Sequence, residues 1–215
     1  MDFFNAVRKR RSIYALENKA TLEQKEILDF IDFALLNAPS AFNCQSARLI
    51  VAFGESHAKV WNIVKRTLKA LVPPEKFPTT EAKIKGFAKA YATILFFEDV
   101  KITEEMQSKF PSYRENFPPW AQQGNAILQY IIWTGLANLG MGANLQHYNP
   151  VIDAEIAKAF NVPPSWKLIA QMPFGVAGGE AGERAGSRDL RSVVGHRAVG
   201  FFGDCGAAIV ANVYG

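Results

Sequence analysis

Cysteine and histidine are scarce in this chain, which has 215 residues, two cysteines and three histidines. Cys44 and Cys205 give no disulfide framework and no metal spacing. Reduced thiols in a cytosolic protein are the favoured interpretation, although a single bridge between them stays open. The histidines are scattered and show none of the spacings typical of metal ligands. We therefore expect no metal site.

Long apolar runs are also missing. No stretch reaches the roughly eighteen uninterrupted apolar residues of a membrane span, and residues 1–5 lack the basic and apolar regions of a signal peptide. No strand is followed by a Walker or dinucleotide-type glycine loop, and no nucleophile elbow of the hydrolase kind is present. We therefore expect a cytoplasmic protein that has no membrane partner and is neither a P-loop protein nor a Ser-His-Asp hydrolase.

The chain also has only a small excess of positive charge. The net charge is +4, and the only dense basic cluster is Arg8-Lys9-Arg10-Arg11. A phosphate-bearing ligand is compatible with this balance, but nucleic acid is not required, so we expect no nucleic-acid partner. Hydrophobic residues make up 49% and charged residues 20% of the chain, which is typical of a soluble globular protein with a sizeable core.

Alternating helices and short apolar strands predict an α+β or α/β fold built around one sheet. Strands are predicted at three short apolar runs, residues 49–53, 92–98 and 166–172. Helices are predicted from helical spacing over residues 55–71, 79–91, 122–139 and 153–160, and from an N-cap at Thr21, with Gln24 completing a capping box, to Pro39. Residues 103–120 are polar and aromatic and contain three prolines, which indicates a surface excursion. The helix over 122–139 is apolar on nearly every side, which is typical of burial in a domain or between two subunits.

Three segments carry candidate binding chemistry. Arg10, Arg11 and Ser12 offer charge-assisted donors and a hydroxyl for a phosphate, although an exposed basic helix end is an alternative. Ser40, Asn43 and Gln45 suit the heteroatom edge of a planar ring, although turns and caps are their commoner use. In residues 140–150, two glycines allow close backbone approach to a ligand, and Gln146 and His147 add polar contacts. A hydrogen-bonded loop histidine is the alternative there.

These segments together resemble the nitroreductase family of FMN flavoproteins, in the branch with the yeast fatty-acid-repression protein and the bacterial copper-induced nitroreductases. Arg10-Arg11-Ser12 is similar to the family's Arg-x-Ser, which holds the FMN phosphate and ribityl chain. Residues 39–45 resemble its Pro-Ser-x-x-Asn-x-Gln segment, which reaches the flavin from the neighbouring subunit. Residues 144–150, with Leu145, Gln146 and His147 beside the flavin ring, look like the signature of this branch, and residues 172–175 support it.

The resemblance implies an α+β fold with a four- to five-stranded sheet flanked by helices, and a long central helix at a homodimer interface. It also implies FMN as cofactor, NADH or NADPH as electron donor, and ping-pong reduction of a small-molecule acceptor such as a nitroaromatic or quinone, in a role that includes oxidative or chemical stress. No side chain is expected to be an obligatory catalyst, because the flavin carries the chemistry. A flavin-binding regulator or sensor with little turnover is the alternative.

Two further expectations concern aromatic residues and the C-terminus. Five aromatic residues are candidates for a lid over the substrate face, with ordinary core or interface packing as the alternative: Phe42, Phe110, Tyr113, Phe117 and Trp120. No lysine follows Lys167, and glycine becomes frequent from Gly175 onward. We therefore divide the chain into a nitroreductase-like domain, 1–184, and an atypical Gly/Ala-rich tail, 185–215. Arg184, Arg188 and Arg191 are alternative candidates for the C-terminal basic residue that meets the FMN phosphate in this family.

Overall fold

A five-stranded sheet forms the centre of the computed structural model, which describes residues 2–183. Its strands are β1 (Leu16–Glu17), β2 (Ala47–Phe53), β3 (Ala92–Asp99), β4 (Gly142–Ala143) and β5 (Trp166–Ala177). The order is β1-β5-β3-β2, β4 also pairs with β5, and all of these pairs are antiparallel. The α+β prediction and all three predicted strands are confirmed. The two strands that sequence patterns missed, β1 and β4, are each only two residues long, which is too short for an alternating pattern.

Helices cover both faces of the sheet. They are α1 (Phe3–Lys9), α2 (Gln24–Asn37), α3 (Gly54–Leu71), α4 (Phe77–Ala88), α5 (Val100–Lys109), α6 (Phe117–Asn138) and α7 (Asp153–Phe160), with 3-10 turns at Ala41–Asn43 and Pro111–Asn116. Because strand side chains alternate between faces, the buried strand β3 contributes to two cores. Ile94 and Phe96 pack with residues of α2 and α6, whereas Leu95 and Phe97 pack with residues of α3, α4 and α7.

The predicted N-cap at Thr21 is wrong. Helix α2 begins at Gln24, its N-cap is Glu23, and the Glu23 backbone N–H donates to the Glu26 carboxylate at 3.0 Å. The Thr21 hydroxyl instead donates to the backbone oxygen of Leu139 at 2.7 Å. Thr21 thus ties the segment before α2 to the end of α6, a partner 118 residues away that local pattern reading does not reach.

The predicted surface excursion over residues 103–120 is largely helical. It comprises most of α5, a 3-10 turn and the first turn of α6, with Pro118 and Pro119 next to the helix start. Proline is tolerated in the first helical turn, where no backbone N–H is needed for an intrahelical bond. For this reason α6 begins five residues before the predicted position.

Helix α6 is anchored to the sheet by a buried amide. The ladder between β3 and β5 shifts register between Phe96 and Phe97, and the Asn125 side chain donates to the Phe97 backbone oxygen at 2.9 Å. Gln129, one turn further along, donates to Asn125 at 2.8 Å. The irregularity in the strand thus coincides with the point where α6 is attached, which fixes the position of this helix against β3.

Candidate functional site

The first and third predicted segments lie side by side. Ser12 forms a parallel bridge with Ala143, and the Ile13 backbone N–H donates to the Ala143 oxygen at 3.0 Å. The Asn144 side chain donates to the Ile13 oxygen at 2.8 Å. We call residues 10–13 and 143–147 the paired segments, because these bonds join two stretches that are far apart in the sequence.

Gly142 is required for this close approach. A Cβ atom at this position would lie 2.9 Å from the Cβ of Ile13 and 3.1 Å from a methyl carbon of Leu16. Real Cβ atoms essentially never come within 3.0 Å of another heavy atom, so a side chain at residue 142 would push residues 13–16 away. The glycine noted in the sequence as allowing backbone approach therefore admits another part of the chain.

Buried amides hold the third segment in place. Gln146 and Gln171 exchange both backbone hydrogen bonds, at 2.8 and 2.9 Å. The Gln146 side chain donates to Asn144 at 2.8 Å, and the Gln171 side chain accepts from the Tyr148 backbone N–H at 2.8 Å. Asn144 and Gln171 are both fully buried and the two side-chain bonds are partly buried, so these bonds are partly shielded from water and help to fix the loop. Sequence reasoning missed Gln171, because a glutamine within an apolar strand gives no sign of what it contacts.

The same hydrogen bonds determine which backbone groups are left for a ligand. Since Gln146 directs both of its backbone groups toward β5, the backbone groups of its neighbours Leu145 and His147 face away from β5. Neither backbone N–H donates to any residue within 2–183. His147 is exposed and Leu145 packs against the core. Burial raises the pKa of the neighbouring Tyr148 above its ordinary 10.

Arg10 lies at the end of α1 and against α6. Its guanidinium carbon is 4.5 Å from the centroid of the Trp133 ring and 5.9 Å from that of Tyr130. The Nε atom of Arg10 is buried and has no hydrogen-bond partner within the described residues. A buried guanidinium donor without an acceptor is costly, and it is the kind of group that an anion satisfies. Ser12 and Arg11 are half-buried beside it.

The second predicted segment has a very different backbone. Phe42, Asn43 and Gln45 all adopt the left-handed conformation, with φ of 53°, 51° and 53°. We call residues 40–45 the strained loop, because this region is uncommon for residues other than glycine and is unfavourable for a phenylalanine. The Ser40 hydroxyl accepts from the Gln45 backbone N–H at 3.0 Å, and the Gln45 side chain donates to Asn43 at 3.1 Å.

The strained loop lines a cavity of about 440 Å³. Ser40, Asn43 and Gln45 contribute to its wall together with Arg48 and Asn125. The paired segments do not contribute to this wall. One protomer therefore brings the first and third predicted segments together and places the second elsewhere.

The predicted aromatic residues do form a cluster. Phe42 is the centre, with its ring centroid 4.9 to 6.0 Å from those of four other rings: Phe110, Tyr113, Phe117 and Trp120. Phe117 is buried, whereas Phe42 is 51% exposed. The cluster thus joins the strained loop to α6 and carries its central ring at the surface. Its role as a lid stays a prediction.

Two sequence expectations fall partly or wholly outside this description. Arg184 and the predicted tail, 185–215, lie beyond the described residues, so the boundary between 184 and 185 stays a prediction. Within residues 2–183, no group of three or more histidine, cysteine, aspartate or glutamate side chains is placed to hold a metal ion. None of the helices in that part of the chain is long and apolar enough to cross a membrane.

The chain is similar to known nitroreductases over most of its length. The model of the nitroreductase family matches residues 7–176. Nitroreductase FRM2 of Saccharomyces cerevisiae is 35% identical over 182 residues, which cover 81% of this chain and 88% of that protein. Nitroreductase CinD of Lactococcus lactis, in complex with nicotinic acid, is 42% identical with a TM-score of 0.81, and the match covers 87% of this chain and 96% of CinD.

A more distant structure shares the fold. A protein from Desulfovibrio desulfuricans, solved in complex with FMN, is 19% identical with a TM-score of 0.65, and the match covers 88% of this chain and 93% of that one. The predicted fold is therefore confirmed, and FRM2 and CinD support the predicted branch. The family match spans α1 to β5 and includes all the described segments that carry the resemblance. The chain belongs to the nitroreductase family.

Proposed function

We propose that this protein is an FMN-dependent NAD(P)H oxidoreductase that reduces nitroaromatics, quinones or similar acceptors. The observation that carries the proposal is the junction of the paired segments, which places Arg10, Arg11 and Ser12 beside a loop with two outward-facing backbone N–H groups. Such a site offers cationic donors for a phosphate at one end and backbone donors for a polar ring at the other.

The residues present fit FMN. The buried Nε of Arg10 has no partner among residues 2–183 and suits a phosphate oxygen. Ser12 adds a hydroxyl beside it. Leu145, Gln146 and His147 would lie along the isoalloxazine ring, whose heteroatoms accept and donate hydrogen bonds. FMN supplies the redox chemistry when bound, by taking a hydride from a reduced nicotinamide and passing electrons to an acceptor. The protein's part is to bind and orient the two ends.

Ser40, Asn43 and Gln45 would complete the site from a second copy of the chain. Helices α1 and α2 both pack against α6, and together these three helices expose large apolar side chains: Phe3, Phe4, Phe33, Leu36, Ile127 and Tyr130. Leu36 is 84% and Phe4 is 74% exposed. Apolar surface of this kind marks an interaction site. A homodimer would cover it and bring the partner's strained loop to the paired segments.

The donor and the acceptor are proposed from the ligands of a relative. CinD has been solved with nicotinic acid, whose pyridine ring is that of nicotinamide, and with 4-nitrophenol and chloramphenicol, which are both nitroaromatic compounds. This chain is 41–42% identical to CinD, and we therefore propose that it accepts ligands of the same two kinds. A role in chemical or oxidative stress and a cytoplasmic location are parts of the same proposal.

The test is the visible spectrum of the purified protein, followed by steady-state assays. We expect a yellow protein that releases FMN on denaturation and oxidises NADH or NADPH with 4-nitrophenol or a quinone. Arg10→Gln should lower flavin content, and size-exclusion chromatography with light scattering should show a dimer. A preparation that fails to take up added FMN would refute the proposal. Tight FMN with negligible turnover across both nicotinamides and several acceptors would favour the sensor alternative.

A further inference from the structure

We propose that Trp133 is a positioning residue for binding of the flavin phosphate. Its indole ring holds the Arg10 guanidinium in the orientation and position that phosphate binding needs. The inference rests on the proposed FMN site and adds a residue that none of the sequence motifs contains. Trp133 is half-buried on α6, where it packs against the core. It is therefore a rigid support for a long and otherwise flexible arginine side chain.

The geometry is that of a cation over an aromatic face. The guanidinium carbon of Arg10 is 4.5 Å from the Trp133 centroid, well within the range of about 6 Å for such contacts. Tyr130, one turn earlier on the same helix face, is 5.9 Å away and adds a second, weaker contact. Indole is the best aromatic partner for a cation, so Trp133 is the main support.

Stacking leaves the edge of the guanidinium free for a ligand. The five N–H groups of arginine lie in one plane, so a ring against its face does not compete with an acceptor at its edge. Among residues 2–183, no carboxylate forms an ion pair with Arg10, and its Nε is buried without a partner. The neutral ring thus orients the cation without cancelling the charge that a phosphate dianion would meet.

A second buried donor lies in the same contact. The Nε1 atom of Trp133 is also buried and lacks a hydrogen-bond partner in the described part of the chain. Two buried donors without acceptors in one arginine–tryptophan contact lower the stability of the folded protein. A phosphate at the edge of the guanidinium would accept from the Arg10 Nε–H and so remove the free-energy penalty of that unpaired donor.

The experiment compares FMN with riboflavin, which has the same ring and lacks the phosphate. The flavin is removed from the purified dimer, and dissociation constants are measured by quenching of flavin fluorescence. We expect Trp133→Leu to weaken FMN binding about three- to tenfold, which corresponds to the usual range of a cation–π contact. Riboflavin binding should stay within about twofold. Equal losses for both flavins would overturn the proposal, because a general structural defect does not sense the phosphate.

Matched variants separate stacking from other roles of the indole. Trp133→Phe keeps an aromatic face and should lose much less FMN affinity than Trp133→Leu, whereas an equal loss would contradict stacking. Tyr130→Leu should have the smallest effect, since its ring is further away. Where Trp133→Leu folds poorly, Trp133→Met fills similar space without a ring and takes its place.

Arg10→Gln distinguishes this inference from the proposed function. If Arg10→Gln leaves FMN affinity unchanged, the proposed phosphate site itself is wrong. If Arg10→Gln weakens FMN selectively and Trp133→Leu does not, only the positioning role fails. The double variant should bind FMN no more weakly than Arg10→Gln alone, because Trp133 acts through Arg10. Additive losses would show that Trp133 acts by another route.

Discussion

The paired segments are held by hydrogen bonds to residues far away in the sequence, whereas within residues 2–183 the hydrogen bonds of the strained loop reach no further than five residues along the chain. Asn144 and Gln171 are fully buried, while Phe42 is half-exposed at the centre of its aromatic cluster. One half of the proposed site is thus built by the protomer alone. The other half has an unfavourable backbone at the surface, which is the arrangement expected of a segment whose purpose lies in contact with another molecule.

The largest expected effect comes from breaking the paired segments at Gly142. Gly142→Ala places a Cβ 2.9 Å from the Cβ of Ile13, so we expect the free energy of unfolding in urea to fall by about 3 kcal/mol and FMN affinity to fall with it. Gly124→Ala is the matched control beneath the strained loop. Its Cβ comes no closer than 3.6 Å to the Pro39 oxygen, so helix propensity should raise stability by about 0.5–1 kcal/mol. Equal changes in the two variants would contradict this difference.

The second-largest expected effect comes from removing the buried side-chain amide of Gln171. Gln171→Met keeps the approximate volume but leaves the Tyr148 backbone N–H without its acceptor, which should cost about 1–3 kcal/mol of unfolding free energy. Hydrogen exchange of residues 146–149 should accelerate more than that of β3. Gln122→Met, at an exposed position of α6, should change stability by less than about 0.5 kcal/mol. Unchanged exchange in 146–149 would show that Gln171 does not hold this loop.

Acid should weaken the fold at a buried histidine that belongs to neither half of the proposed site. His57 is buried, with Nδ1 2.8 Å from the Thr93 hydroxyl and Nε2 3.2 Å from the Ala88 oxygen. The Trp61 N–H also donates to that hydroxyl, so a neutral ring that accepts at Nδ1 and donates at Nε2 is fully paired. Burial lowers the pKa of His57 below its ordinary 6.5.

The unfolded chain therefore binds a proton that the folded state excludes. Below about pH 6.5 stability should fall by up to about 1.4 kcal/mol per pH unit, until the folded-state pKa is reached. Chemical denaturation from pH 8 to pH 5 measures this slope, and His57→Gln should reduce it. A slope unchanged in His57→Gln would assign the acid sensitivity to other groups.

The smallest effect concerns the strained loop. Gln45 has φ of 53°, which glycine adopts freely and which a β-branched residue resists. Gln45→Gly should leave the stability of the protomer nearly unchanged, because relief of strain offsets the greater freedom of the unfolded chain, whereas Gln45→Val should cost about 1–2 kcal/mol. Equal stabilities for the two variants would show that the loop is not strained.

Patterns of local origin were predicted well from the sequence. The apolar run of β3 and the helical spacing over residues 55–71 depend on neighbours along the chain. Both segments are buried on the expected side, with Val60, Trp61 and Val64 buried on the helix. The predicted start of α2 was wrong, because Glu23 and Glu26 supply the capping interaction while Thr21 contacts Leu139, which is distant in the sequence. Competing local signals of this kind are resolved only by tertiary contacts.

The candidate site was predictable in its motifs and not in its supports. Arg10, Ser12 and Gln146 stand in recognisable segments, but Gln171 and Trp133 become informative only once the chain has folded. A buried glutamine and a helix tryptophan have ordinary core interpretations in a sequence. The proposed association of Ser40, Asn43 and Gln45 with a partner copy comes from the family resemblance alone, because the contacts of one chain do not reveal a second.

The bond from Asn144 to Ile13 spans 131 residues, and this has a consequence for folding. Contacts of such sequence separation form only after the intervening chain has been ordered, because closing a long loop costs entropy before any contact repays it. During synthesis on the ribosome, the junction proposed to bind flavin therefore cannot form until residue 144 has emerged, and its hydrogen bonds to Gln171 and Pro173 must wait for β5. Flavin uptake by the nascent protein should for that reason be among its last maturation steps, and the yellow colour would report that folding is complete.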